Sequence, residues 1–572
     1  MSAVTTSVEP TPQVSAWAPL RNKIYRYLFI AQLVSNIGLW MQTVGAQWFL
    51  VEHGSSATIV ALVQTASLLP TLFLALPAGG LADLLDRRRL LIAVSTYTAV
   101  AAGVTTFLAW TDVLTPVMLL AMTFLLGCGA ALSAPAWQAI QPELVPREQI
   151  PAASSLGSVT VNAARAVGPA IGGVVVAAAG PAAVFAINAV SFLAIIGALM
   201  WWRRPADAPG VDRERLGRSL VTGLHYVHAA PIVRRIMLRS AVFAFPASAL
   251  WALLPLASSE HLHFGASGYG LVLGMLGVGA VAGVAIYPRM RKKLSPNALL
   301  AASAIAYGVG VVAVGVLPVW AVLPLLLVAG AAWIATLTTL NAAIQLSLSH
   351  WVRARGMSIY LLVFMGSQAL GSFVWGVVAS HTSFVTALLI SAALLVAAAA
   401  SVTVIPLRPE TGTLPRGVST AWPTPMVVFG PEPDDGPVVV SVTYRVRPAE
   451  LDQFDQAMAA VGKARRRTGG YSWGLYRHGT DSDLRVEQFT VPSWSDHKRQ
   501  TTERWTDSDH QLITAALSYT VTGVTEDERQ LFAVGPRTGR LPGRAGQHTG
   551  QVGEPNGTAE RAELRHGSTV KG

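Results

Sequence analysis

The chain has 572 residues, 52% of them hydrophobic and only 13% charged, with a formal net charge of +11. Soluble globular chains carry about 25% charged residues, so composition excludes a wholly soluble protein and sets the class as integral membrane. The positive charge falls in short clusters between apolar runs, which fits membrane topology rather than nucleic-acid binding, and the single cysteine, Cys128, excludes an intrachain disulfide.

Residues 1–20 read as a disordered N-terminus without the charged-then-apolar pattern of a secretory signal, so the first hydrophobic span is expected to be retained. Six apolar spans follow within 21–202, at 27–51, 57–82, 90–110, 113–136, 153–179 and 182–202. A basic central loop, 203–236, separates them from six more within 237–405, at 237–257, 268–288, 297–317, 319–342, 357–380 and 383–405. A bilayer core about 30 Å thick needs about 20 helical residues, which these runs supply, and backbone in lipid must satisfy its own hydrogen bonds, so the spans are helices. The fold class is an all-α polytopic membrane protein of twelve transmembrane helices. The basic clusters, among them "DRRR" (86–89), "RMRKK" (289–293) and "RAR" (353–355), fall in alternate loops, which predicts that those loops and both termini are cytoplasmic. The localisation that follows is multi-pass in the cytoplasmic membrane.

An internal repeat joins the two halves. "GGLADLLDRRRL" (79–90) aligns with "GVAIYPRMRKKL" (283–294) at an offset of 204, and "AIQ" (139–141) recurs at 343–345 with the same offset. Arg165-x-x-Gly168 matches Gln368-x-x-Gly371 at offset 203. Two duplicated six-helix bundles are the architecture of many secondary transporters, which bind substrate between the halves near the membrane midplane.

Beyond 405 a Pro/Gly-rich linker, 406–436, leads to a soluble stretch, 437–525, with a β-α-β-β-α pattern that fits a small ferredoxin-like α+β domain. Residues 526–572 read as a disordered tail. Tyr444, Trp473, Tyr476, His478 and Trp494 either line a pocket in this domain or fill its core.

Polar residues within the spans are candidates for a substrate cavity. Gln32, Asn36, Trp40, Thr43 and Gln47 lie on one face of the first helix, and Gln64, Asn162, Asn188, Asn341, Gln345 and Gln368 stand elsewhere in the spans. Arg165 is the basic residue placed inside a span, about twelve residues or about 18 Å into the fifth helix. Either it lines the cavity and attracts an anionic or acidic-phenol substrate, or it bonds to carbonyls freed near Pro169 or reaches Glu143. No carboxylate falls at mid-span, which leaves Asp83, Glu52 and Asp112 as the candidates for ion coupling, and no phosphate-binding loop for nucleotide occurs. No cofactor, metal site or nucleic-acid partner is expected; the partners are the lipid bilayer and a small molecule.

Gly79, Gly80, Asp83, Arg87 and Arg88, in "GGLADLLDRRR", resemble the loop signature between the second and third helices of the major facilitator superfamily, with Leu84 and Asp86 departing from it. Read from the residues, the two glycines permit close helix approach and Asp83 can pair with Arg87 or Arg88, either as a conformational-switch loop or as a solvated basic turn that sets topology. Gly168, Pro169, Gly172 and Gly173, in "GPAIGG", resemble the fifth-helix motif of that superfamily's drug/proton antiporters, which implies export and proton antiport. Together with "PELVPREQIPAASSLGSVTVNAARAVGPAIGG" and the soluble C-terminal stretch, the chain resembles the enterobactin-exporter-like group called transmembrane secretion effectors. That resemblance implies export of a siderophore, drug or related metabolite. The C-terminal stretch resembles antibiotic-biosynthesis-monooxygenase-like domains, which implies dimerisation through their sheets but carries no catalytic residues over. The reading is therefore a secondary exporter, not an enzyme. An uptake permease of the same fold, and a membrane-anchored enzyme or sensor acting through the C-terminal domain, are the rivals.

Overall fold

The structure, a computed structural model, describes residues 15, 17–202, 226–408, 411, 419 and 430–533. Most of the expected N-terminal disorder, the central loop through 225, most of the linker and the tail from 534 lie outside the described residues.

The first half holds α1 (Lys23–Glu52), α2 (Ala57–Leu84), α3 (Arg87–Trp110) and α4 (Pro116–Ile140). A helical run, Ile150–Trp201, then breaks at Gly180, where φ is 75°, into α5 (150–179) and α6 (181–201). Glycine tolerates that left-handed backbone, and Pro181 is suited to open the next helix. The second half holds α7 (Pro231–Glu260), α8 (Ala266–Lys293), α9 (Pro296–Val316), α10 (Val319–Ser347), α11 (Arg353–His381) and α12 (Phe384–Ala400). Ten helical runs among the described residues are long and apolar enough to cross a membrane. One of them is the α5–α6 pair, and α12 is a shorter apolar helix of 17 residues, which completes the twelve. Short polar side chains fix the starts: Asn22, Ser56, Asp86, Thr115, Ser295 and Ser383 accept hydrogen bonds from first-turn backbone N–H groups.

One boundary differs in a way that matters. The seventh helix starts at Pro231, not at 237, because proline at a first turn costs no hydrogen bond. Arg239 therefore sits two turns inside α7 and is 5% exposed. The expectation that Arg165 is the one basic residue within a span is corrected accordingly.

The soluble domain contains β1 (Val438–Arg445), α13 (Leu451–Thr468), β2 (Ser472–Arg477), β3 (Leu484–Val491), α14 (Trp494–Arg499), α15 (Asp507–Leu517) and β4 (Asp527–Phe532). Its antiparallel sheet runs β2-β3-β1-β4, the ferredoxin-like order. β4 lies in residues read from sequence as disordered, and that reading is corrected: its register against β1, from Val438↔Phe532 to Thr443↔Asp527, closes the sheet's second edge. Val438, Val440, Val442 and Tyr444 alternate inward from β1 onto Phe454, Met458 and Val461 of α13. The helical stretch 493–517 divides where Thr506 and Asp509 form a capping box that starts α15.

The twelve helices pack as two halves, and the packing differs between the ends of the molecule. At the end carrying the basic loops, each half has its own apolar cluster. One runs from Tyr25 and Leu28 to Leu199 and Trp202; the other runs from Tyr226 and Val233 to Tyr360 and Leu407. Toward the other end a single cluster contains residues of both halves, including Val44, Leu50 and Val60 with Leu250, Leu253 and Trp375. Asn297 of α9 clamps the backbone of Leu407, just beyond α12, at 2.8 and 3.1 Å, and the soluble domain meets the second half where the Arg504 guanidinium lies 5.0 Å from the ring centre of Trp351 in the α10–α11 connection.

Candidate functional site between the two halves

Glycines set the seam. A Cβ at Gly173 would come within 2.8 Å of Gly270 Cα, and one at Gly277 within 2.5 Å of Ala166 Cα and 2.7 Å of the Arg165 carbonyl. Small residues thus let α5 and α8 touch backbone to backbone. Gly168 and Gly172 face Trp40 and Met41 of α1, and the helix continues through Pro169. On α8, Gly279 and Gly283 turn the other way, onto Leu327 and Ala331 of α10.

The hydrogen bonds joining the halves gather away from the basic loops. Gln47 of α1 donates to the Trp251 carbonyl of α7 at 3.2 Å and accepts from the Tyr269 hydroxyl of α8. Trp48 stacks on the Tyr269 ring at 6.0 Å and donates its Nε1–H to Glu52 at 2.7 Å. Thr58 of α2 meets the Ser380 hydroxyl at 2.7 Å and donates to the Gly376 carbonyl of α11 at 3.2 Å, while Thr65 donates to the Ala369 carbonyl at 3.0 Å. These contacts form a clasp across the end poor in basic residues.

Arg165 lies fifteen residues into α5, about 22 Å along it and near its middle. Its guanidinium carbon is 5.7 Å from the Trp40 ring centre. Its Nε is buried without a hydrogen-bond partner, and among the described residues no carboxylate pairs with it. Glu143, one partner open to it from sequence, is engaged by Arg87 at 2.6 Å. Trp40 in turn meets Trp251 at 5.9 Å, Trp251 meets Trp333 at 5.7 Å, and Trp333 meets Phe364 at 5.9 Å. An aromatic wall therefore crosses from the first half to the second, with one unpaired cation at its edge. Such a place attracts a negative charge attached to an apolar or aromatic body.

The remaining candidates separate. Gln32 donates to Asn36 at 3.0 Å, and the Asn36 amide nitrogen is otherwise buried without a partner. Gln32 also lines a groove with Tyr25, Phe29, Trp137 and Gln141. Thr43 bonds back to the Leu39 carbonyl, and Asn162 to the Ser158 carbonyl of its own helix. Asn188 is fully buried between α6 and α1, donating to Gln42 at 3.4 Å, so it belongs to the first half's interior. Gln64 and Asn341 are half-buried, Gln345 is exposed, and Gln368 is buried. Gln42, Trp251, Trp333 and Tyr269 were not singled out by sequence: three are aromatic or apolar by type, and only the fold shows which of many such residues converge.

In the loop motif, Arg87 donates to the Ala139 carbonyl at the end of α4 as well as to Glu143, and Arg88 donates to the Leu199 and Met200 carbonyls at the end of α6. Both arginines neutralise helix C-termini. The side chain of Asp83 lies outside the described residues, so its expected pairing does too. A Cβ on Gly79 would meet nothing within 4 Å; the expected close helix approach there is corrected, and Gly80 is buried.

The soluble domain's aromatics do not converge on one pocket. Tyr444 and Trp473 both donate to Glu487, at 2.8 Å each, and Trp494 is in the core. Tyr476 is exposed, and His478 sits beside Thr480 in the exposed β2–β3 hairpin.

A family model described as "transmembrane secretion effector" matches residues 14–532. A staphyloferrin A transporter of Staphylococcus aureus is 22% identical over 291 residues, covering 50% of this chain and 73% of its own. The enterobactin exporter EntS of Citrobacter koseri is 26% identical over 325 residues, covering 55% and 75%. The multidrug efflux pump Tap of Mycolicibacterium fortuitum is 27% identical over 315 residues, covering 53% and 75%. Among solved structures, a mutant of the nucleoside transporter NupG superposes with a TM-score of 0.57 at 12% identity, over 67% of this chain and 99% of that one. A bacterial homolog of the human lysosomal transporter Spinster, inward-facing and unoccupied, gives 0.54 at 13%, over 68% and 95%. The chain belongs to the transmembrane secretion effector family and has the major facilitator fold; it is a membrane transporter, not an enzyme.

Proposed function

We propose that the chain is a secondary exporter that carries a small anionic molecule with an apolar or aromatic body, a siderophore, drug or related metabolite, out of the bacterial cytoplasm in exchange for protons. The observation that carries the substrate class is Arg165: a guanidinium at mid-helix, set against the Trp40 ring, with no carboxylate paired to it among the described residues. Holding a charge at that depth costs at least a few kcal/mol, and a bound anion removes much of that cost. The names of the relatives support export.

The excess of Lys and Arg in alternate loops supports a cytoplasmic position for those loops and for both termini. The separate apolar clusters at that end support a cleft open to the cytoplasm, with the clasp of Gln47, Tyr269, Thr58 and Ser380 closing the outer side. Substrate enters along Gln32, Asn36 and Trp40 and pairs with Arg165. The halves then rock about the glycine seam of α5 and α8 until the clasp opens. Each clasp bond is worth roughly 0.5–1.5 kcal/mol net, small enough for substrate binding to shift the balance. Among the three acids open as coupling groups, Glu52 stands on the clasp, because it holds Trp48 against Tyr269. Its protonation from outside weakens that hold and favours outward opening. The soluble domain pairs with a second copy through the sheet face that carries exposed Tyr476 and Leu531, which mass measurement of the purified protein checks.

The test is accumulation, in cells with and without the chain, of labelled aromatic probes matched in size but differing by one negative charge. The anionic probe should accumulate less when the chain is present, and collapse of the proton gradient should remove the difference. Equal accumulation of every probe in both strains overturns the reading.

A further inference from the structure

Arg239 shows a second uncompensated charge, inside the second half and separated from the aromatic wall by Phe243, which packs on Trp333 at 5.8 Å. It is 5% exposed within α7. Its Nη1 donates to the Ala398 carbonyl at 3.0 Å and to the Ser401 hydroxyl at 2.8 Å, capping the C-terminus of α12. Its Nε and Nη2 are buried and have no hydrogen-bond partner. Those two N–H groups form one edge of the planar fork and point to a common acceptor position. Among the described residues of the second half's helices the carboxylate is Glu260, twenty-one residues further along α7 and about 31 Å away. The carbonyl end of α12 offsets about half a charge; the rest is unanswered.

Arg239 lines a small, partly open void between α7, α9, α10 and α12. Phe243, Leu300, Ala304 and Val402 wall it, and Thr336 of α10 shares the lining. Thr336 is 1% exposed, and its hydroxyl also lacks a partner. The void has room for a single water-sized particle. Three unmet polar groups, one of them part of a full positive charge, thus share one small apolar-walled space. Buried donors are almost always satisfied, and a guanidinium held from water is satisfied best by an anion.

We propose that this void is a binding site for one halide-sized monoanion, chloride being the physiological case, chelated by Nε and Nη2 of Arg239 and accepting a hydrogen bond from Thr336. The bound ion braces the second half's interior by linking α7, α10 and, through the Arg239 cap, α12. The repeat makes the feature specific to this half: at the offset of 204 the residue matching Arg239 is Ser35, so the first half needs no counter-ion there.

The experiment uses the purified full chain in lipid nanodiscs, with chloride titrated against gluconate at constant ionic strength and pH. Thermal stability should rise and saturate with chloride, as linkage requires for a ligand of the folded state, and bromide should act similarly. Arg239→Gln should abolish the dependence. Thr336→Val, which keeps the arginine and its cap, should raise the half-saturating chloride concentration about tenfold, the loss of one hydrogen bond to a charged group. Arg165→Gln should leave the dependence intact, which separates this site from the cleft. Should Arg239→Gln fail to fold, Thr336→Val and anomalous scattering from bromide-soaked wild-type crystals carry the test. Identical stability in chloride and gluconate, or anomalous maps without bromide beside Arg239, would overturn the proposal and assign the void to water.

Discussion

Arg465 in the soluble domain and Arg165 between the halves are arginines withheld from bulk water in opposite ways. Arg465 is 1% exposed, donates from Nε and Nη2 to Glu487 at 3.1 and 3.3 Å, and lies between the rings of Phe489 and Trp505. Glu487 is completed by Tyr444 and Trp473. Among the described residues, Arg165 has one aromatic neighbour, a buried Nε without a partner and no paired carboxylate. The first charge is closed and holds a fold together. The second is open and is placed where a ligand can close it.

The largest expected effect breaks the closed side of that comparison. Glu487→Ala removes the buried carboxylate that Arg465, Tyr444 and Trp473 share and should destabilise the soluble domain by about 3–5 kcal/mol, read by hydrogen exchange over 438–532 in the full chain. Export should persist, since the cleft lies elsewhere; its loss would favour an active role for the domain.

Next comes pH. Burial, and then the charge of Arg465, push His497 down from 6.5 to about 4. The folded domain therefore holds this imidazole neutral while the unfolded chain binds a proton below 6.5. Stability from this group is complete above pH 6.5 and falls as pH drops toward 4, by about 2–3 kcal/mol at pH 4.5. Denaturation of the full chain at pH 7.5 and 4.5 should show that drop for the domain, and His497→Gln should reduce it.

On the open side, Gln47→Leu removes both clasp bonds of that side chain. It should shift the balance toward the outward-open state by about 1–2 kcal/mol, seen as longer spin-label distances between the outer ends of α1 and α7. The smallest effect is Arg165→Lys, which keeps the charge but loses the planar face over Trp40. Affinity for an anionic aromatic probe should fall about three- to tenfold.

Much of this architecture could be read before the structure. Apolar runs gave the spans, alternating basic loops gave the sidedness of the reading, and a repeat at one offset gave the two halves. Arg165 stood out because a charge in an apolar run is visible without any coordinates. Trp251 and Trp333 did not, because an aromatic residue in a membrane helix looks the same whether it faces lipid, core or cleft. Arg239 was placed at a helix edge because a proline hid six residues of α7. Asn188 was taken for a cavity residue because sequence shows that an amide is buried in a helix, not which neighbour receives it. β4 was missed because "DERQLF" is half charged; its strand state comes from pairing with β1.

The most direct test of the central claim is binding of the matched anionic and neutral aromatic probes to purified wild-type and Arg165→Gln protein by titration calorimetry. Wild type should prefer the anionic probe by about tenfold or more, the scale of one charge-assisted hydrogen bond, and Arg165→Gln should bind the two alike while unfolding at an unchanged temperature. An unchanged preference in Arg165→Gln would contradict the assignment of this cation to the substrate.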